Sequence, residues 1–216
     1  MNVRRIIFLR PGETDWNKHG RWQGWVAAPL NAHGRQQAAS LAKFVRNIGM
    51  GALYSSDLRR AVETAEMLGH PLGCEPILDA RLRERNIGLW QGLTIHEMVT
   101  WYADEYATML GDIDGFRPPG GESRNDVRKR VMEALEDILS TSVIETVGIL
   151  SHTTAIKIML AALVPSYDPL YVDLDNTSVT TIHRKEGVWE LIAVNDQMHL
   201  EGLDARSVGE IEAHER

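Results

Sequence analysis

The decapeptide FLRPGETDWN, residues 8 to 17, joins two kinds of sequence, and its reading decides the fold. On its N-terminal side, Val3 to Leu9 carries the apolar run IIFL, the pattern of a strand buried on both faces of a parallel sheet. On the other side, Arg10 to Gly34 is rich in Gly, Trp and Asn, has no clean period, and reads as a long functional loop. An arginine thus stands where a buried strand gives way to a loop. In open α/β sheets that edge is where ligands bind.

The rest of the chain repeats the alternation of strand and helix. Ala38, Leu41, Ala42 and Val45 predict a helix over about Arg35 to Asn47, and Ala52 to Ser55 a short strand. Ser56 or Asp57 is expected to cap a helix running to about Leu68, and Glu75 to Leu78 is a strand candidate. Thr94 to Leu110 is read as one amphipathic helix, with Trp101, Tyr102 and Tyr106 as core or lid packing. PPGGES at Pro118 to Ser123 is a turn cluster, and Ser123 with Asp126 opens a helix to about Leu139 by a capping box. Thr146 to Leu150 predicts a buried strand, Thr153 to Leu163 a helix, and Ser178 to His183 with Trp189 to Val194 two closing strands around a Lys-Glu-Gly turn. The expected fold is a three-layer α/β/α sandwich with a mostly parallel central sheet. No linker or repeat divides residues 1–216, so one domain is expected, with about 94–122 as a helical lid and about 199–216 as a polar tail.

Composition narrows the function classes. The chain has 216 residues and a formal charge of -7, which disfavours a general nucleic-acid binder. Its single cysteine, Cys74, excludes a disulfide framework, and without basic or glycine-rich neighbours it is no candidate thiolate nucleophile. The run Ile6 to Leu9 is too short for a signal-peptide core, and no segment approaches the roughly 18 apolar residues of a membrane span. A cytoplasmic protein is expected, with no membrane partner and a homodimer as the default assembly. Of the 23 basic residues 18 are Arg, which composition alone leaves uninterpreted.

Three features share one geometry. Arg10 ends the first strand, Arg59 and Arg60 open the helix after the second, and His152 follows the strand ending at Leu150. Arginine in a first helical turn has the wrong sign for the helix dipole, so two together suggest a bound anion. The same dipole biases His152 towards the neutral imidazole. Two guanidiniums and an imidazole suit a phosphoryl group.

At these residues the chain resembles the histidine phosphatase superfamily, in its phosphoglycerate-mutase-like branch. The resemblance rests on FLRPGETDWN, GRWQGWVAAPLNAHGRQQA (Gly20 to Ala38), SSDLRRAVETAE (Ser55 to Glu66), LRERNIGLWQGLT (Leu82 to Thr94), PPGGES, LSHTTAI (Leu150 to Ile156) and NTSVT (Asn176 to Thr180). It implies a small phosphorylated molecule as partner and no metal or other cofactor. By position, Arg10 and Arg60 would hold the phosphoryl oxygens, with Arg59 at the rim and Asn17, Gln23, Gly24 and Thr153 as further phosphate contacts. Glu84 would be the acid that protonates the leaving oxygen, and His152 a donor to the phosphoryl group. The family's first motif reads Arg-His-Gly-Glu-Thr, its His taking the phosphoryl group. Here Pro11 holds that place, and proline offers no side-chain lone pair to phosphorus. Thr153 and Thr154 likewise follow the second His where Gly is usual, and Lys157 stands where Arg is common.

Substitute nucleophiles are poor. His19 reads as a surface loop residue, and His96, His183, His199 and His214 show no metal-ligand spacing. Glu13, Asp15, Glu84 and Glu122 prompt no metal either. Three readings stay open at this stage: a phosphate-binding pseudoenzyme, an enzyme using water activated by Glu84, or an ordinary phosphatase in which Pro11 substitutes a catalytic His. Trp16, Trp22 and Trp25 either pack on a substrate or anchor the first loop.

Overall fold

Arg5–Leu9 forms strand β1, and its side chains divide strictly between two cores. Ile6 and Phe8 pack into one cluster, Ile7 and Leu9 into another on the opposite face. That period of two, apolar on both sides, is what a central strand covered by two layers of helix requires. The computed structural model describes residues 2–169 and 172–203. In chain order β1 is followed by α1 (Asp15–Lys18), α2 (Ala32–Val45), β2 (Ala52–Ser55), α3 (Arg59–Leu72), β3 (Ile77–Leu78), α4 (Ile95–Trp101), α5 (Ala103–Gly111), α6 (Arg124–Thr141), β4 (Thr146–Leu150), α7 (Thr153–Leu163), β5 (Val179–Lys185) and β6 (Val188–Asp196).

The strand order is β3-β2-β4-β1-β5-β6. The pairings β3 with β2, β2 with β4 and β4 with β1 are parallel, while β5 and β6 close the sheet antiparallel. Residues of α2 and α3 share the cluster of Ile7 and Leu9, and those of α6 and α7 share that of Ile6 and Phe8. This is the expected three-layer α/β/α sandwich. Because β2, β4 and β1 are parallel neighbours, their carboxyl ends at Ser55, Leu150 and Leu9 reach one edge of the sheet.

Several local expectations are corrected. The stretch from Arg10 to Gly34 is not all loop. Thr14 and Asn17 form a capping box that starts the one-turn helix α1, and Asn31 caps α2, which begins at Ala32, three residues ahead of Arg35. The loop lies directly on α2: a Cβ on Gly34 would stand 2.0 Å from the Glu13 carbonyl oxygen, and one on Gly12 2.4 Å from that of Gly34. Only glycine permits two backbones to approach so closely. Neither Ser56 nor Asp57 is the N-cap of α3; Leu58 holds that place without a side-chain cap, and the helix runs through Pro71 to Leu72. Asp57 instead pairs with Arg83, at 2.5 and 2.6 Å. The strand expected from Glu75 shrinks to Ile77–Leu78.

The helix expected over Thr94 to Leu110 breaks at Tyr102, whose ψ of 44° ends α4 and precedes α5. Trp101 is 63 % exposed and packs neither core nor lid, whereas Tyr102 and Tyr106 close on Trp90. With Phe116 stacked on the same indole at 5.4 Å, they make a small separate core above the sheet edge. The capping box of Ser123 with Asp126 is present. Met198–Leu200 forms one short 3₁₀ turn, and the remainder of the expected tail from 204 onward, with His214, lies outside the described residues.

Candidate active site

At the carboxyl ends of β1, β2 and β4 opens a cleft of about 630 Å³. Arg10, Pro11, Asn17, Gln23, Gly24, Arg60, Glu84, His152 and Thr153 all line it. The sequence thus places nine residues from five separate segments around one cavity. Arg59, expected at its rim, faces away and pairs with Glu63 at 2.8 Å on the outer surface of α3. Successive helical residues point about 100° apart, so only one of two adjacent arginines can face inward.

Arg60 is buried, and donates to the Gly24 carbonyl at 3.0 Å and the Val26 carbonyl at 3.3 Å. These bonds turn the guanidinium from α3 towards the first loop. Burial lowers its pKa to about 10, Glu84 opposing the shift and Arg10 adding to it. Arg10 donates to the Leu174 carbonyl, and burial lowers its pKa as well, against the attraction of Glu84, Asp175 and Asp173. Two guanidiniums therefore face each other with Glu84 as their shared carboxylate.

Glu84 accepts the Arg85 backbone N–H at 2.6 Å through Oε1 and that of Thr154, in the first turn of α7, at 3.2 Å through Oε2. Its own carbonyl is held by the Trp25 indole N–H at 2.6 Å and by Arg130 at 2.8 Å. Arg130 also donates to the carbonyls of Arg81 and Arg83 and to the Glu122 carboxylate. One α6 arginine thereby fixes the backbone segment that carries Glu84. Arg83 lies over the Trp25 ring at 4.8 Å, and Trp16 rests against Gly92. Trp16 and Trp25 therefore anchor the loop; Trp22 lines the cleft.

His152 is the N-cap of α7, with Nε2 at 2.9 Å from the buried Ser56 Oγ. Ser56 Oγ already accepts the Leu58 N–H at 3.2 Å, so its hydroxyl proton is available to Nε2, the arrangement of a neutral ring carrying its proton on Nδ1. Burial, then Arg60, Arg10 and Arg130, push the His152 pKa well below 6.5. The helix terminus invoked from sequence points the same way, but burial is the leading cause. His152 thus contributes stability above pH 6.5 that is lost as the pH falls from that unfolded-state value towards the lower folded one. In an NMR titration its ring is expected to stay neutral below pH 6 in the free protein and to take up a proton at higher pH once phosphate offsets Arg10 and Arg60. An unperturbed midpoint near 6.5 without ligand contradicts this electrostatic account.

Pro11 is buried at the cleft floor, its carbonyl accepting the Thr177 N–H and the Asn176 side-chain amide, both at 3.1 Å. Asn17 spends its side-chain oxygen on Thr14, and Gln23 presents a buried Oε1 without a protein partner. Thr153 and Thr154 begin α7 at the cleft wall. Sequence reasoning missed Asn176, Arg21, Arg85, Arg124 and the apolar Ile87, Ile95, Met109, Leu110 and Ile113, all of which line the cavity. Asn176, Arg21, Arg85 and Ile87 lay inside quoted motifs and could have been found there; Arg124, Ile95, Met109, Leu110 and Ile113 lie in none. His19 is exposed, bonded to the Asp15 carbonyl at 2.6 Å, and Lys157 donates to the Pro169 carbonyl at 2.9 Å.

An α/β sandwich with two arginines, a carboxylate and a histidine at the sheet edge defines a phosphoryl-handling class of protein. The chain belongs to the histidine phosphatase superfamily, branch 1, whose model matches residues 6–197. It is 31% identical over 187 residues to the probable phosphoglycerate mutase GpmB of an Enterobacter species, covering 86% of this chain and 87% of that one. A solved mycobacterial glucosyl-3-phosphoglycerate phosphatase with VO3 superposes at a TM-score of 0.80 with 32% identity, covering 89% of this chain and 99% of the other. A mutant phosphoserine phosphatase from Entamoeba histolytica in complex with phosphoserine gives 0.79 and 29%, over 91% and 98%. Among the described residues no helix is long and apolar enough to cross a membrane.

Proposed function

We propose that this protein binds a small phosphorylated molecule in the cleft and does not form phosphohistidine, because Pro11 occupies the position of the family's nucleophile. The observation that carries the reading is the cleft floor: two buried guanidiniums, with Glu84 the carboxylate that acts on both, stand beside a neutral imidazole, a setting for an anion. Phosphoryl transfer asks a protein mainly for positioning and charge neutralisation, and those parts are present without a nucleophile. The relatives support the ligand class, one being solved with VO3, the same phosphatase also with inorganic phosphate, and another with phosphoserine. The reading takes the chain as one cytoplasmic domain, with residues 94–122 as a lid, that acts without nucleic acid and assembles as a homodimer.

A second reading has one observation in its favour: Glu84 lines the cleft with a carboxylate fixed by two backbone N–H groups, a position from which it could activate water. Calorimetry with inorganic phosphate and vanadate, beside a phosphatase assay on p-nitrophenyl phosphate, separates the two. Anion binding without turnover supports the binding protein. Turnover in the parent that disappears in Glu84→Gln overturns it in favour of water attack.

A further inference from the structure

The cleft has two halves of different chemistry. Its floor is polar and cationic, but its mouth is built from Trp22, Ile87, Ile95, Met109, Leu110 and Ile113. Three of these are large apolar side chains left in water: Ile95 is 51 % exposed, Leu110 60 % and Ile113 43 %. Tyr102 and Tyr106 show that the same segment can bury apolar groups on Trp90 when geometry allows. The three arginines that reach the mouth are already engaged. Arg21 pairs with Glu97 at 2.9 Å, Arg85 donates to the Glu122 and Phe116 carbonyls at 2.7 Å, and Arg124 faces Asp114 at 3.7 Å. Two of the three face a carboxylate and the third has donors turned onto backbone carbonyls, so the mouth offers an anion little, while its apolar walls gain by losing water.

Resting on the phosphate-binding reading above, we infer that the ligand is a phosphate monoester with an apolar alkyl or aryl organic part and no second anionic group. Its phosphoryl end sits between Arg10 and Arg60, and its apolar end lies against Ile95, Leu110 and Ile113. A ligand with a carboxylate at that end would meet apolar walls and arginines already turned to other acceptors, and would lose hydration without a matching partner.

Calorimetry on the full chain tests this with inorganic phosphate, then methyl-, butyl-, hexyl- and phenylphosphonate, then 3-phosphoglycerate as the doubly anionic comparison. Affinity is expected to rise roughly two- to fourfold per methylene until the mouth is filled. Phenylphosphonate should bind at least about tenfold tighter than methylphosphonate by the same area argument, and 3-phosphoglycerate no tighter than methylphosphonate. Leu110→Asn and Ile113→Asn, neutral changes at exposed positions, should each flatten the series, with an unchanged melting temperature reporting that the variants are folded. A flat series in the parent with phosphate bound, or 3-phosphoglycerate as the tightest ligand, overturns the inference alone. Failure of inorganic phosphate and every phosphonate to bind overturns the phosphate-site reading, and the inference with it.

Discussion

Pro11→His is expected, on the proposed function, to raise turnover of a simple phosphate monoester by about 10³-fold or more. Removing the nucleophile from a covalent hydrolase costs on the order of 10⁶ in kcat in a well-dissected case, so a nucleophile restored in imperfect geometry should still recover a large part. The surroundings are ready for it. Arg10 and Arg60 hold the cleft floor, Glu84 is fixed by two backbone N–H groups, and the carbonyl at position 11 is tied to Thr177 and Asn176 whatever the side chain. The change enlarges a buried side chain and adds a backbone N–H, at a cost of about 1–3 kcal/mol of stability, so turnover is compared at a temperature where denaturation shows both proteins folded. An acid-labile phosphoenzyme should accumulate in the variant and be absent from the parent. Equal turnover in the two, or a phosphohistidine in the parent, refutes the role given to Pro11.

How much of this site was legible in the sequence depends on which physical rule places each residue. Arg10, Arg60 and His152 could be brought together before any coordinates because each follows a short apolar run, and parallel strands deliver their carboxyl ends to one edge. Glu84 was assigned by family resemblance alone, since a residue between two short 3₁₀ turns follows no period. The orientation of Arg59 against Arg60 needed the helix phase, and the true cap at Leu58 shifts that phase by one or two residues from a start at Ser56 or Asp57. Arg130 and Trp25 support Glu84 from 46 and 59 residues away in sequence. Such contacts follow from tertiary packing and leave no local signal. The apolar mouth was hidden for a different reason: in a sequence, Ile95 and Leu110 at helical spacing read as core, and only their exposure distinguishes a binding wall from a packing face.

Arg60 should be the largest single contributor to anion affinity, and its loss should leave the unliganded fold nearly untouched. Arg60→Met removes a buried guanidinium from the proposed phosphate site. Truncating one member of a buried charge pair costs about 2–5 kcal/mol, so the phosphate dissociation constant should rise from roughly 30-fold to a few thousandfold. In the free protein the same group is an expense, since burial strips its water, Glu84 offsets only part of that cost and Arg10 repels it, which is why its pKa is drawn down to about 10. Methionine of similar length relieves that burial of charge, and replacing buried ions by packed apolar groups is often neutral or stabilising. Against this stand the lost donors to Gly24 and Val26, so the net change in unliganded stability should stay within about 1 kcal/mol. Phosphate at about 100 times the parent's dissociation constant should stabilise the parent by about 2.7 kcal/mol and the variant by less than about 1 kcal/mol. Arg59→Met is the matched control: that side chain pairs outward with Glu63, and its removal should change neither affinity nor the phosphate-induced shift. Retained phosphate binding in Arg60→Met, or an equal loss in Arg59→Met, would place the anion elsewhere than the floor of this cleft. Loss confined to Arg60→Met would mean that the free protein carries buried, uncompensated charge as the condition for holding a phosphate.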